Sequence, residues 1–345
     1  MKAVSTAPKN SAGIDFFRLA AACMVVAIHT APLSSVSRDA DYLLTYCLGR
    51  VAVPFFLMTS GYFVLAPYIW KKAHKKQSLR RFLIKNAMLY FAVSLLYLPI
   101  SLYSGNLPKH AGELCRNVFF DGTFYHLWYF PAAILGCIIV TAIALRSVRS
   151  AVLFSGAAYL IGVFGDSWYG LIKDLVPLRL FYDGIFAFTG YTRNGIFFTP
   201  IFLLLGVLLA NPKFRCPKKA CLYGTAAAVF CMLLEGYASY GAGMQRHNSM
   251  YLFLPPVMYF LFQLLLLVPG PSVPLLRKTS MLVYLIHPAV ILAVRGFAKL
   301  IHQTELFVTN SLIHYLLVCG ISWIAALLLE GGKRLCIKKD AHGSN

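Results

Sequence analysis

From residue 12 to residue 332 the sequence is a succession of apolar runs about twenty residues long, separated by short polar segments. That length matches the hydrocarbon core of a bilayer, and no other feature restricts the fold so severely. In lipid every backbone N–H and C=O must be satisfied by the protein itself, which leaves helices and closed barrels. Barrel strands read as segments of about ten residues with alternating hydrophobicity; these runs are continuous and about twice as long. The sequence therefore predicts an all-α polytopic membrane protein with about ten transmembrane helices, near 12–33, 43–67, 82–104, 127–147, 150–170, 195–210, 219–241, 249–268, 280–300 and 311–332. The sixth is short, and Leu175 to Phe188 before it reads as a re-entrant or interfacial helix. Lys2 and Lys9 precede the first run as in a signal peptide, but Asp15 and Arg18 lie inside it, so it is expected to be a retained span.

The formal charge of +20 invites a nucleic-acid reading, and its distribution argues against one. Twenty of the 32 Lys and Arg residues fall on alternate loops and span ends, such as Lys71–Arg81, Lys213–Lys219 and Lys333–Lys339. Eight fall on the opposite set, where eight acids balance them. Basic residues collect on the cytoplasmic side, so both termini are expected there, in the cytoplasmic (inner) membrane. The stretch Lys71–Arg81 is also a candidate contact for a phosphorylated donor or anionic lipid. Nine scattered cysteines show no metal-type spacing and suggest no disulfide framework. No repeat or flexible linker divides the chain, so residues 1–345 are expected to form a single membrane domain with a short basic tail at about 333–345.

Ionisable side chains inside a bilayer are costly, and by default they face the protein interior and mark a functional path. The first span carries three: Asp15, Arg18 and His29. Eleven residues are close to three helical turns, so Arg18 and His29 share a face, roughly 16 Å apart along the axis. Asp15 is three residues before Arg18 and within reach to pair with it; a structural ion pair is the plain alternative. By depth, Arg18, Ser60 and His287 fall in the cytoplasmic half, and His29, Arg50, His126, Trp128, Glu235 and Arg295 in the outer half, with Arg193 just outside the sixth span. Several have a simpler reading. Glu235 and Arg295 pair as buried charges do, Ser60-Gly61 is a helix-packing patch, and His126 and Trp128 belong to an interfacial aromatic belt. An imidazole is the usual general base near neutral pH, so His29 suits acyl transfer to a hydroxyl or, equally, a proton relay in a transporter.

Four segments together resemble the integral-membrane acyltransferase-3 family. Gly13-Ile-Asp15-Phe-Phe-Arg18 with His29 is similar to its arginine-ten residues-histidine motif. Phe55-Phe-Leu-Met-Thr-Ser60-Gly61-Tyr62 resembles its Phe-Phe…Ser-Gly-Tyr motif, His126-Leu-Trp128-Tyr a Trp-centred motif, and Tyr284-Leu-Ile-His287-Pro288 a late His-Pro motif. The resemblance implies helices around a through-membrane path, with acyl-CoA as donor substrate and no bound cofactor or metal. It implies His29 as general base, Arg18 braced by Asp15 to position base or donor, and Ser60, Tyr62 and Trp128 shaping a cavity. Two family features are missing: a glutamate shortly after Trp128, and an Arg-x-x-Arg pair after the second span, where Arg80, Arg81 and Lys85 stand instead. No soluble hydrolase domain is appended.

His126-Leu-Trp-Tyr and Tyr191-Thr-Arg193-Asn194-Gly195 also resemble the membrane domain of membrane-bound serine racemases linked to vancomycin resistance. There the membrane part is thought to supply L-serine to a cytoplasmic racemase domain. These 345 residues leave no room for such a domain, so racemase activity is not expected of them. The leading expectation is a membrane acyltransferase moving an acyl group such as acetyl to a hydroxyl of an envelope glycan or small molecule. The alternative is delivery of a small zwitterion such as L-serine to a cytoplasmic racemase. In that case Arg50, Arg193 or Arg295 would hold its carboxylate and Glu235 its ammonium group, and His126 and His287 would line the path.

Overall fold

A computed structural model describes residues 12–71 and 76–342, with side-chain surroundings for 12–70 and 77–332. Lys2, Lys9, the first half of the basic stretch at 71–81 and the tail at 333–345 lie outside those side chains. The described backbone is helical and has no strand. The main helices are α1 (Ala12–Thr30), α2 (Arg38–Trp70), α3 (Lys76–Tyr103), α4 (Tyr129–Ala144), α5 (Val148–Phe164), α6 (Val176–Phe188), α7 (Thr199–Leu209), α8 (Lys218–Gly241), α9 (Leu254–Leu266), α10 (Pro274–Leu300) and α11 (Ser311–His342).

Among the described residues, α1, α2, α3, α8, α10 and α11 are long and apolar enough to cross a membrane. α4, α5, α7 and α9 are shorter apolar helices overlapping the other four expected spans, and α6 occupies the expected interfacial piece. Burial separates two kinds of apolar helix. Only 17% of the most apolar part of α3 is covered, leaving Met88, Phe91, Leu95 and Leu96 on its surface. α7 is apolar on all sides because protein surrounds it, with Phe202, Leu203, Val207 and Leu209 fully enclosed. Large apolar side chains displayed in such numbers require lipid as solvent, and the chain is a multi-pass membrane protein.

The chain separates into two compact units. One comprises Val53–Gln263; the other combines residues 12–52 with 264–342. In the second unit α1 packs on α10 and α11 around Ala22, Val26, Val283, Val290, Ile291 and Val318. Gly13 lets a neighbouring backbone approach: a side chain there would strike the carbonyl of Leu265. α1 ends where Ala31 turns left-handed (φ 49°) before Pro32, which has no N–H to continue a helix. Ser311 at the start of α11 donates to the Pro32 carbonyl at 2.8 Å, tying the two ends together.

In the central unit the second half of α2 lies against α7. Cβ atoms on Gly61 and Gly206 would collide with the carbonyls of Leu203 and Met58 respectively, so each glycine admits the other helix's backbone. α2 departs from α geometry in π turns at Tyr42–Cys47 and Gly61–Leu65, with a 3-10 turn at Leu48–Val51 following the first. The second coincides with the Ser-Gly-Tyr motif, and π turns are frequent at functional positions.

Candidate functional site

Within the first-and-last-helix unit, Asp15 is almost completely buried. One oxygen accepts from the Ser272 hydroxyl at 3.0 Å and the Val273 N–H at 2.8 Å, while the other lies 3.4 Å from Arg18 Nε and 3.5 Å from Arg277. The expected Asp15–Arg18 pair is present, and the carboxylate also anchors the chain entering α10. Arg277 enters the sequence reading only as a topology residue. Its closeness to Asp15 depends on a tertiary contact that no spacing reveals.

That anchor sets two parallel helices in step. His29 is fourteen residues beyond Asp15, and His287 fourteen beyond Val273, roughly 21 Å along each axis. Their rings stack at 5.2 Å with 25° between planes. This corrects the depth assignment that put His287 in the cytoplasmic half and His29 in the outer half: they lie at one level. The error comes from the start of α10. Pro274 begins the helix six residues before the predicted span, and each residue raises His287 by about 1.5 Å. His287 is fully buried, and its Nδ1 lies 3.1 Å from the Val283 carbonyl. A carbonyl only accepts, so Nδ1 carries a ring proton. Pro288, lacking an N–H, removes the helix donor owed to the Tyr284 carbonyl and loosens the backbone at this point. Arg50 is partly buried and lies over the Tyr46 ring at 5.4 Å. Arg295 is exposed on α10.

Within the central unit the remaining residues fall into three places. Ser60 bonds back to the Phe56 carbonyl at 3.0 Å, and Gly61 beside it makes the α7 contact. The packing reading holds for this pair. Tyr62 is buried and accepts from Arg215 at 3.0 Å, a residue read from the sequence only as loop charge.

A second place lies between α3, α4 and the segment before α7. His126 sits edge-on to Tyr97, at 5.1 Å between ring centres, and to Phe124 and Tyr125. Trp128 carries Arg193 over its face at 5.1 Å, with Tyr191 under the same guanidinium at 4.7 Å. Asn194 shapes this turn by accepting from the N–H groups of Ile196 and Phe197. Asp121, read from sequence only as a loop acid, accepts from the Gly190 N–H at 2.9 Å and pairs with Arg116 at 3.4 Å. Burial pushes its carboxyl above the ordinary aspartate value, opposed by the Gly190 N–H and the charges of Arg116 and Arg193.

The third place is Glu235. The sequence offers Arg295 as its partner, or an ammonium ligand. Its oxygens are instead taken by Trp168 Nε1 at 2.7 Å and the N–H groups of Leu252 and Phe253 at 2.7 and 3.1 Å. The turn leading into α9 owes its N–H donors to something, and Glu235 supplies the acceptor. Nothing in the helical spacing of α8 signals this, because the donors come from loop backbone.

The chain matches the family described as acyltransferase domain over residues 11–331. Among curated proteins it is 40% identical over 333 residues to an amino-acid racemase of Enterococcus faecalis, covering 93% of this chain and 46% of that protein. A second amino-acid racemase of the same organism is 38% identical over 330 residues, 94% of this chain and 45% of the relative. A serine/alanine racemase of Enterococcus gallinarum is 39% identical over 312 residues, 89% and 44%. The chain thus spans about half the length of the curated relatives it matches. No solved structure matches it significantly.

Proposed function

We propose a function from one premise: the chain belongs to the acyltransferase domain family whose motifs the sequence displays. On this reading it is a membrane acyltransferase that uses acyl-CoA at the cytoplasmic face and acylates a hydroxyl of an envelope glycan or small molecule. About ten spans with both termini in the cytoplasm, in the inner membrane, give it access to both compartments. The observation that supports this best is the stacked His29–His287 pair, about 21 Å along α1 from the Asp15–Arg18–Arg277 cluster. His29 takes the hydroxyl proton as the oxygen attacks the thioester carbonyl carbon. The tetrahedral oxyanion then collapses, the C–S bond breaks, and the thiolate leaves to take up a proton. Arg18 is too far along the helix to touch the atoms His29 touches, so its role is with the donor's remote end. Asp15 braces Arg18 and the start of α10 and is a positioning residue.

A second reading rests on the relatives' names. As part of a protein like the racemases it resembles, the chain would deliver a zwitterion such as L-serine to a cytoplasmic racemase. Arg193, between Trp128 and Tyr191, is the carboxylate holder this reading favours. Glu235 already accepts from three N–H donors, and on this reading its remaining acceptor position would take the ammonium group. His29→Ala and wild type in proteoliposomes separate the readings, with acyl-CoA supplied on one side and labelled L-serine uptake followed in parallel. CoA release that disappears in the variant is the expected result. Serine entry with no acyl-CoA consumed would overturn the acyltransferase.

A further inference from the structure

We propose that Arg215, braced by Tyr62 and flanked by Lys213, Lys218 and Lys219, forms a binding site for a phosphate group. The segment joining α7 to α8 is held from several sides within the central unit. Tyr259 donates to the Phe214 carbonyl at 2.7 Å, Gln263 accepts from the Cys216 N–H at 2.7 Å, and Trp70 stacks on Phe214. Arg215 is partly buried in this frame. Its Nε donates to the Leu209 carbonyl at 2.8 Å and one Nη to the Tyr62 hydroxyl at 3.0 Å. Both acceptors are neutral, and no carboxylate pairs with it among the described residues. Between Asp183 and Glu235 the sequence holds no acid across 51 residues, while Lys213, Lys218 and Lys219 stand exposed around Arg215.

A topology signal explains the lysines, since charge alone orients a loop. It does not explain an arginine partly buried, held at two atoms and left without a carboxylate among the described residues, an arrangement that costs stability. A guanidinium held at two atoms, on a segment with three exposed lysines and no acid, suits a multiply charged, fork-accepting anion, and phosphate is that anion. Tyr62 belongs to the Ser-Gly-Tyr motif, which links the site to the π turn in α2. The choice of an acyl-CoA phosphate over a lipid headgroup rests on the function proposed above; the phosphate site itself does not.

The test uses the full chain in phosphatidylcholine nanodiscs, with 3′,5′-ADP, the phosphorylated end of coenzyme A, as probe. Wild type is expected to bind it, Arg215→Ala to weaken binding by about tenfold or more, and Arg215→Lys to weaken it less. Thermal midpoints verify folding, and Arg215→Lys carries the comparison if the alanine variant does not fold. A parallel arm counts phosphatidylglycerol retained by wild type and Arg215→Ala in native mass spectrometry. Arginine-dependent lipid retention without 3′,5′-ADP binding upholds the phosphate site and moves its source to the membrane. Binding of 3′,5′-ADP with no CoA release in proteoliposomes upholds the site while the acyltransferase reading falls. Equal 3′,5′-ADP affinity and equal lipid retention in wild type and a folded Arg215 variant, or neither ligand on wild type, overturns the proposal.

Discussion

A charge in a membrane is defined by what holds it. Asp15 is held by a hydroxyl, a backbone N–H and two guanidinium groups. Removing it leaves Arg18 buried beside a lost partner, so Asp15→Ala is expected to cost roughly 3–5 kcal/mol. The fall should appear in the thermal midpoint in detergent, with Asp15→Asn milder because an amide oxygen still accepts from Val273. Asp121 has a different signature. Its carboxyl is raised, so the folded protein binds that proton more tightly than the unfolded chain. The resulting stability is complete below the ordinary aspartate value and is lost as pH rises through the raised one. Asp121→Asn should flatten that acid-side slope in a pH series of thermal midpoints. The sequence exposes Asp15, Arg18 and His29 because any ionisable residue in an apolar run is conspicuous. It hides Arg277, Arg215 and Asp121, which lie in loops or at helix ends where charge is ordinary.

Helices are legible where length and hydrophobicity agree, and every expected span contains one. Ends are less so: α10 starts before its apolar stretch because Arg277 and Lys278 are satisfied by Asp15 and Glu330, the latter at 2.6 Å. That six-residue extension is what brings His287 level with His29. The contact between α2 and α7 is also invisible as a pairing, although Gly61 stands out within its motif. Gly61→Ala and Gly206→Ala each press a methyl into a carbonyl of the facing helix, where no flexible side chain can yield. Each is expected to destabilise by roughly 1–3 kcal/mol, read as a lowered midpoint. Ala substitution at Gly156, whose added Cβ meets open space, should leave the midpoint nearly unchanged.

At the scale of the molecule, the formal charge of +20 is unevenly divided: one set of loops sums to neutral and the other carries the excess. The division into two units could not be read from composition, since no linker marks it. One unit is a continuous stretch, and the other is closed by the two ends of the chain. During synthesis, therefore, α1 enters the membrane first and its ion-pair and ring partners last, with Val273 arriving 258 positions after Asp15. Until α10 emerges, Asp15 has Arg18 beside it but lacks Ser272, Val273 and Arg277, and His29 lacks the His287 ring. A fragment ending at residue 263 should be degraded in cells, and co-expression of 264–345 should rescue its level and co-purify with it. Accumulation of the first fragment alone at the level of the intact chain would refute this. Loss of α10 and α11 would then be felt at α1, making the first of these three helices the one that reports whether its late partners were made.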